Sequence, residues 1–112
     1  MTTRQNKVAR LIQKELSKIF LDLTREYFQG KMLSVTVVRV TPDFAEAKVY
    51  LSIFPDDGAE EVLKEIKIHT KLIKHKLAQI ISKQLRRTPE LHFFIDDSLE
   101  YAQRIEELLN TK

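Results

Sequence analysis

The stretch that decides the fold is Ala45-Glu46-Ala47-Lys48-Val49-Tyr50-Leu51-Ser52-Ile53-Phe54, in which small or apolar residues alternate with polar or aromatic ones. Successive side chains of a strand point to opposite faces of a sheet. The alternation therefore predicts a strand with one buried face, which carries Ala45, Ala47, Val49, Leu51 and Ile53. Helices are required to cover that face.

The segment just before this strand predicts its partner. Residues 33–41, from Leu33 to Thr41, are rich in β-branched side chains, which favour strands. Pro42-Asp43 supplies turn chemistry between the two segments. So short a link predicts an antiparallel hairpin.

Upstream of the hairpin, apolar residues recur at spacings of three and four: Val8, Ile12, Leu16, Ile19, Leu23 and Tyr27. This periodicity predicts a long amphipathic helix over about residues 4–28. Gly30 is a plausible terminator for that helix.

Downstream, the pattern predicts two helices, a strand and a last helix. Asp57 with Glu60 fits an N-cap signature for a helix ending near Ile68, and a second helix covers roughly residues 71–86 before Thr88-Pro89 stops it. Periodicity leaves open whether these two helices are continuous or kinked near His69-Thr70. The run at 91–96 has strand length, and Asp97 to Glu100 is a second capping signature that opens a final helix. The fold class is α+β, with helices on one face of a three-stranded sheet, in a single domain over residues 1–112.

Length and composition exclude several classes of protein. The chain has 112 residues, 43% of them hydrophobic and 31% charged, with two glycines and three prolines, which is typical of one globular domain. The absence of cysteine excludes disulfides, thiolate metal sites and a cysteine nucleophile. No apolar run approaches the ~20 residues of a transmembrane helix, and the charged N-terminus is unlike a secretory signal. We expect a cytoplasmic protein without membrane contact.

Charge is segregated along the chain. The formal net charge is only +3, yet residues 66–89 contain seven lysines and arginines and no acid. In the first helix, Lys7, Arg10, Lys14, Lys18 and Arg25 fall on one stripe opposite the apolar face. Such segregation is the electrostatic footprint of a polyanion-binding protein. The alternative is that these cations merely solvate the outer faces of helices.

Two basic helix faces packed side by side would form one positive surface that meets phosphates without reading sequence. The candidate RNA-binding residues are Lys7, Arg10, Lys14, Lys18, Lys71, Lys74, His75, Lys76, Lys83, Arg86 and Arg87. Aromatic side chains are not assigned to the site. At least one of Phe93 and Phe94 is expected in the core, while Tyr50 and Phe54 are better candidates for exposure.

No catalytic, metal or cofactor site is predicted. His69, His75 and His92 are too scattered for metal ligation, and Asp96-Asp97 is better explained by helix capping than by acid–base chemistry. No serine lies in a nucleophile motif. The sequence therefore predicts a protein that is not an enzyme.

Four stretches of the chain resemble the ribosome-binding factor A family, nearly end to end. They are Lys7-Val8-Ala9 with Gln13-Lys14-Glu15-Leu16, the hairpin from Val35 to Ser52, Leu72-Ile73-Lys74-His75-Lys76-Leu77, and Arg86 to Ser98. The resemblance implies a type II KH-like fold and a factor that binds the free small (30S) ribosomal subunit and its 16S rRNA. It also implies help in late assembly and 5′-end processing of that rRNA, most needed in the cold, with no small-molecule substrate. We expect the protein to be a monomer.

The chain departs from KH domains and from the family at one place. A Gly-x-x-Gly loop is impossible because the only glycines are Gly30 and Gly58. Where the family usually has a small-x-Gly kink between helices, this chain has His69-Thr70-Lys71, and Thr70 could cap a new helix.

Two other functions compete with RNA binding. One is a protein–protein or regulatory module that uses the acidic final helix or the open edge of the sheet. The other is a small hydrolase or nuclease, which the missing catalytic residues make a weak hypothesis.

Overall fold

The computed structural model describes residues 2–96, which form helices and strands in the predicted order. Helix α1 spans Thr3–Tyr27, strands β1 and β2 span Met32–Val40 and Glu46–Phe54, helices α2 and α3 span Ala59–Ile68 and Thr70–Ile81, and strand β3 spans Glu90–Ile95. The predicted final helix, with its Asp97 cap, lies outside the described residues.

The sheet is mixed, with the order β1-β2-β3. Strands β1 and β2 are antiparallel, with Val38 opposite Val49 and an irregularity between Val35 and Val37. Strand β3 pairs with β2 in parallel, with Phe93 beside Val49. Parallel pairing needs a long crossover, which α2 and α3 supply.

The core lies between the sheet and the helices. Ala47, Val49 and Leu51 are completely buried, which confirms the alternation predicted for β2. Helix α1 contributes Ile12, Leu16 and Phe20, and the Phe20 ring meets the Phe93 ring edge to face at 5.8 Å. The α+β fold with a three-stranded sheet is as predicted.

Glutamine side chains fix α1 on β1. The Gln5 amide donates to the buried Val40 carbonyl at 2.9 Å, and the Gln13 amide donates to the Val35 carbonyl at 3.1 Å. Gln5 also completes a capping box with Thr2, which satisfies two backbone donors at the start of the helix. The position of α1 along the sheet is thereby set at two points of β1, its middle and its last residue.

The N-cap predicted for α2 is wrong. The cap is Gly58, with a left-handed φ of 75° that favours glycine, and no side chain caps the helix. The carbonyl and carboxylate of Asp57 instead accept hydrogen bonds from the Lys31 ammonium. Helix α1 ends at Tyr27 with Phe28 as its C-cap, and Gly30, with a φ of 85°, lies in the turn that the Lys31 N–H closes onto the Phe28 carbonyl.

The second basic helix is shorter than predicted. Helix α3 ends at Ile81 and not at Arg86, because the N–H groups of Gln84 and Leu85 both donate to the Ile81 carbonyl at 2.9 Å. This tightened turn redirects the chain so that Leu85 is buried. Lys83, Arg86 and Arg87 therefore lie in the loop that follows α3.

Helical structure is interrupted at His69, so α2 and α3 are separate helices. The Thr70 hydroxyl donates to the Lys67 carbonyl at 2.8 Å, and α3 has no side-chain cap. Thr70 thus completes the end of α2, and its predicted capping of α3 is wrong. A glycine is not needed, because none of His69, Thr70 and Lys71 has a positive φ.

Candidate nucleic-acid interface

The basic stripe of α1 faces away from the core. Lys7, Arg10, Lys14 and Lys18 are all exposed. Of these four residues, only Lys18 forms an ion pair within residues 2–96. Its ammonium lies 3.6 Å from Glu15, and its side chain remains 64% exposed. The four ammonium and guanidinium groups are therefore accessible to a polyanion.

Helices α1 and α3 lie against each other and run in opposite directions. At one end the Tyr27 ring stacks on His69, with centroids 6.0 Å apart. At the other end Arg4 reaches the loop after α3. The two basic segments of the sequence are therefore brought together in space, as the side-by-side packing requires.

The clearest concentration of positive charge is a cleft of about 430 Å³ at this second end, which we call the helix-end cleft. Four cations line it: Arg4, Lys83, Arg86 and Arg87. The Arg4 guanidinium lies 5.1 Å from the centroid of the Phe44 ring, a cation–π contact that orients it. Sequence reasoning left Arg4 out of the candidate set, and only its place at the first turn of α1 signalled a position near the loop.

The predicted residues of α3 do not share one face. Lys71 and His75 are exposed, but Lys74 turns toward β3 and pairs with Glu90. Lys76 lies about 200° further round the helix from Lys74, on the opposite flank. Helix α3 therefore presents Lys71, Lys74 and His75 on one side, with Lys74 nearest β3 and Lys76 on the opposite flank.

A groove of about 370 Å³ separates α3 from β3, lined by Lys71, Lys74, His75, Ala78 and Glu90. The hydrogen bond from Lys74, and the charge of that ammonium, hold the pKa of Glu90 below its ordinary value. Glu90 is thus ionised at neutral pH and neutralises part of the charge of the groove. Lys74 is a weaker candidate for phosphate contact than Lys71.

An acid also lies near the helix-end cleft. The Thr41 hydroxyl donates to the Asp43 carboxylate at 2.7 Å, and the Ala45 N–H donates to it at 3.1 Å. These hydrogen bonds, and more weakly the charge of Arg87, lower the pKa of Asp43. The turn between β1 and β2 therefore holds one fixed negative charge near the four cations.

Among residues 2–96, no three histidine or acidic side chains cluster as metal ligands would. Within the same range no helix is long and apolar enough to cross a membrane.

The fold and this surface define a class: a small α+β domain with a three-stranded mixed sheet, a basic helical layer and no Gly-x-x-Gly loop. The chain belongs to the ribosome-binding factor A family, whose model matches residues 4–109. It is 45% identical to ribosome-binding factor A of Cytophaga hutchinsonii over 109 residues, covering 97% of this chain and 82% of the relative. It is 46% identical to that of Christiangramia forsetii over 112 residues, covering 99% and 86%.

Solved structures share the fold. The crystal structure of ribosome-binding factor A from Thermus thermophilus superimposes with a TM-score of 0.68, at 22% identity, covering 81% of this chain and 94% of that one. A homology model of the Thermus thermophilus factor, fitted into a cryo-EM map of its complex with the 30S subunit, gives a TM-score of 0.59 at 20% identity, covering 88% and 97%.

Proposed function

We propose that this protein binds the free small ribosomal subunit through the 16S rRNA and assists its late maturation. Membership of the ribosome-binding factor A family supports this proposal, as does the complex with the 30S subunit described for the Thermus thermophilus relative. The protein acts in the cytoplasm, where subunits are assembled, as a single copy.

The observation that carries the proposal is the convergence of two basic segments at the helix-end cleft. Arg4 from α1 meets Lys83, Arg86 and Arg87 from the loop after α3. The α1 stripe extends this surface along the helix. Phosphate contacts by arginine and lysine fix a protein on RNA without reading its sequence, which suits recognition of a folded RNA.

The contribution to 5′-end processing is indirect. The protein holds part of the rRNA in the shape that a processing enzyme requires, and it neither cuts RNA nor uses a cofactor or a small-molecule substrate. Binding energy spent on one RNA conformation shifts the population toward that conformation.

Sedimentation of cell extract tests the proposal. The full chain should run with free small subunits, and the pair of reversals Lys83→Glu with Arg86→Glu should move it toward the top of the gradient. The matched control is Lys64→Glu with Lys67→Glu on exposed positions of α2, which changes the net charge equally.

Equal losses from both pairs would indicate a net-charge effect and remove the case for the cleft. A slow peak containing one protein partner, unaffected by either pair, would favour the protein–protein module.

A further inference from the structure

The face of the sheet that points away from the helices carries two ordered rows of side chains. Register places Val37, Tyr50 and Phe94 side by side across the three strands, and we call them the apolar row. Two residues along each strand toward the β1–β2 turn, the same register aligns Arg39, Lys48 and His92, the basic row. None of these six residues belongs to the helical surface proposed above.

The apolar row is a flat aromatic platform. The rings of Tyr50 and Phe94 stack with centroids 5.4 Å apart and planes inclined by 27°. Phe94 keeps 40% of its surface exposed and Val37 keeps 37%, although Phe93, its neighbour in β3, is buried. An aromatic ring left exposed in an ordered strand is available to stack on a ligand.

The basic row places positive charge next to this platform. Arg39 and Lys48 are exposed and lie directly opposite each other on β1 and β2. Among residues 2–96 neither forms an ion pair, whereas His92 at the end of the row faces Glu46 at 3.3 Å. Within the described residues, the cations of this row that form no ion pair are therefore Arg39 and Lys48.

The two rows meet in an open depression of about 390 Å³, lined by Val37, Arg39, Lys48, Tyr50 and Asp96. The Asp96 carboxylate accepts a hydrogen bond from Thr36, which gives it a partner within the sheet. Residues two apart on a strand are separated by about 7 Å, so the rows are close enough for one nucleotide to contact both.

We infer that this open sheet face is a second binding site, for single-stranded nucleic acid. A base stacks on the Phe94–Tyr50 platform while its phosphate lies between Arg39 and Lys48, the combination with which proteins hold unpaired strands. Duplex RNA does not fit, because its bases are already stacked and paired. The site does not depend on the helical surface, and the two together would grip a folded RNA and an adjacent unpaired segment.

Charge favours this ligand over a second copy of the chain. A symmetric contact through the same face would bring Arg39 and Lys48 near their counterparts, and like charges brought together disfavour association. A polyanion is attracted by the same two groups.

Fluorescence anisotropy of the full chain with a short labelled oligouridylate, and with a labelled RNA duplex, tests the inference. Phe94→Leu keeps an apolar side chain but removes the ring, and it should weaken oligouridylate binding roughly tenfold, within the range found for removing one stacked base. Phe94→Trp should restore binding. Lys48→Gln, made in the parent chain, should also weaken oligouridylate binding. Duplex binding should stay unchanged in all three variants.

Equal affinity of the parent, Phe94→Leu and Phe94→Trp for oligouridylate would overturn the inference. So would a concentration-dependent dimer that Phe94→Leu dissolves while oligouridylate binding persists, because the face would then serve self-association. Reversal of Lys83 and Arg86 should instead weaken duplex and small-subunit binding, so this site and the helix-end cleft can fail separately.

Discussion

The Arg4 guanidinium lies over the Phe44 ring, 5.1 Å from its centroid, and joins the first turn of α1 to the turn between β1 and β2. Phe44 adopts a positive φ of 57°, which is uncommon for a bulky residue, and its ring packs against the core. This contact orients one of the four cations that line the helix-end cleft.

A double-mutant cycle measures that contact. Arg4→Gln and Phe44→Leu should each destabilise the protein, and their coupling in urea unfolding should be about 0.5–1 kcal/mol, the usual size of an exposed cation–π contact. Phe44→Leu alone also loses core packing, which the cycle subtracts. A coupling of zero within error would mean that the ring does not hold Arg4.

The Gln5 side chain should contribute more to the stability of the protein than an ordinary helix cap does. Gln5→Leu removes the donor to the buried Val40 carbonyl together with half of the capping box, and we expect a loss of about 1–3 kcal/mol in the free energy of unfolding. Thr2→Ala is the matched control because it removes only the hydroxyl of the cap, at about 1 kcal/mol. Equal losses would show that the bond to Val40 adds nothing.

The buried face of β2 can be tested by one carboxylate. Val49 is completely buried, so Val49→Asp should cost several kcal/mol, enough to unfold a domain of ordinary ~5–15 kcal/mol stability. Lys48→Asp on the exposed face of the same strand should leave the melting temperature nearly unchanged. A cooperative melt of Val49→Asp within a few degrees of the parent would contradict the structure.

The ion pair between Lys74 and Glu90 has a pH signature. Because the pKa of Glu90 is lowered in the folded state, the pair stabilises the protein at pH values above the ordinary glutamate pKa of 4.5, and that contribution is lost as pH falls through the folded pKa. In Lys74→Gln the pKa of Glu90 should rise toward 4.5 in an NMR titration of its side chain. Lys71→Gln should leave it lowered, and an unchanged value in Lys74→Gln would exclude the pair.

Salt should reveal how many phosphates the helical surface neutralises. The logarithm of affinity for small-subunit RNA should fall linearly with the logarithm of salt concentration, by roughly 0.7–0.9 per phosphate contacted. Lys83→Glu with Arg86→Glu should flatten the slope by about two contacts, with little change in melting temperature since both residues are exposed. If these reversals leave the slope unchanged while Lys64→Glu with Lys67→Glu flattens it, the phosphate-binding site lies on α2.

Local pattern predicted most of the fold. The period of α1 and the alternation in β2 are set by burial on one face, and burial is what sequence periodicity reports. The errors lie at helix ends, where tertiary contacts compete with local capping signals and decide where the helix begins or ends. Asp57 is taken by Lys31, 26 residues away in sequence, and α3 stops early so that Leu85 can enter the core. Neither long-range contact leaves a local signal.

The candidate site divides in the same way. Exposure of the α1 stripe followed from helical geometry, because a residue opposite the apolar face must point outward. The contacts that the basic side chains make with other elements could not be predicted in this way. Lys74 meets Glu90 across 16 residues, and Arg4 meets the loop after α3 only through tertiary packing. The stacking of Tyr50 on Phe94 likewise depends on the register between β2 and β3, which sequence alone does not fix.

Parallel pairing of β3 with β2 has a consequence for how the chain is synthesised. Phe93 completes the core against Phe20, and β3 is the last of the three described strands to be synthesised. While α1, the hairpin and the two central helices are already available, the apolar side of β2 still lacks one neighbour. A nascent chain therefore cannot close its interior before residue 95 is free to fold, and a product interrupted earlier would expose that interior to proteases and to other unfinished chains.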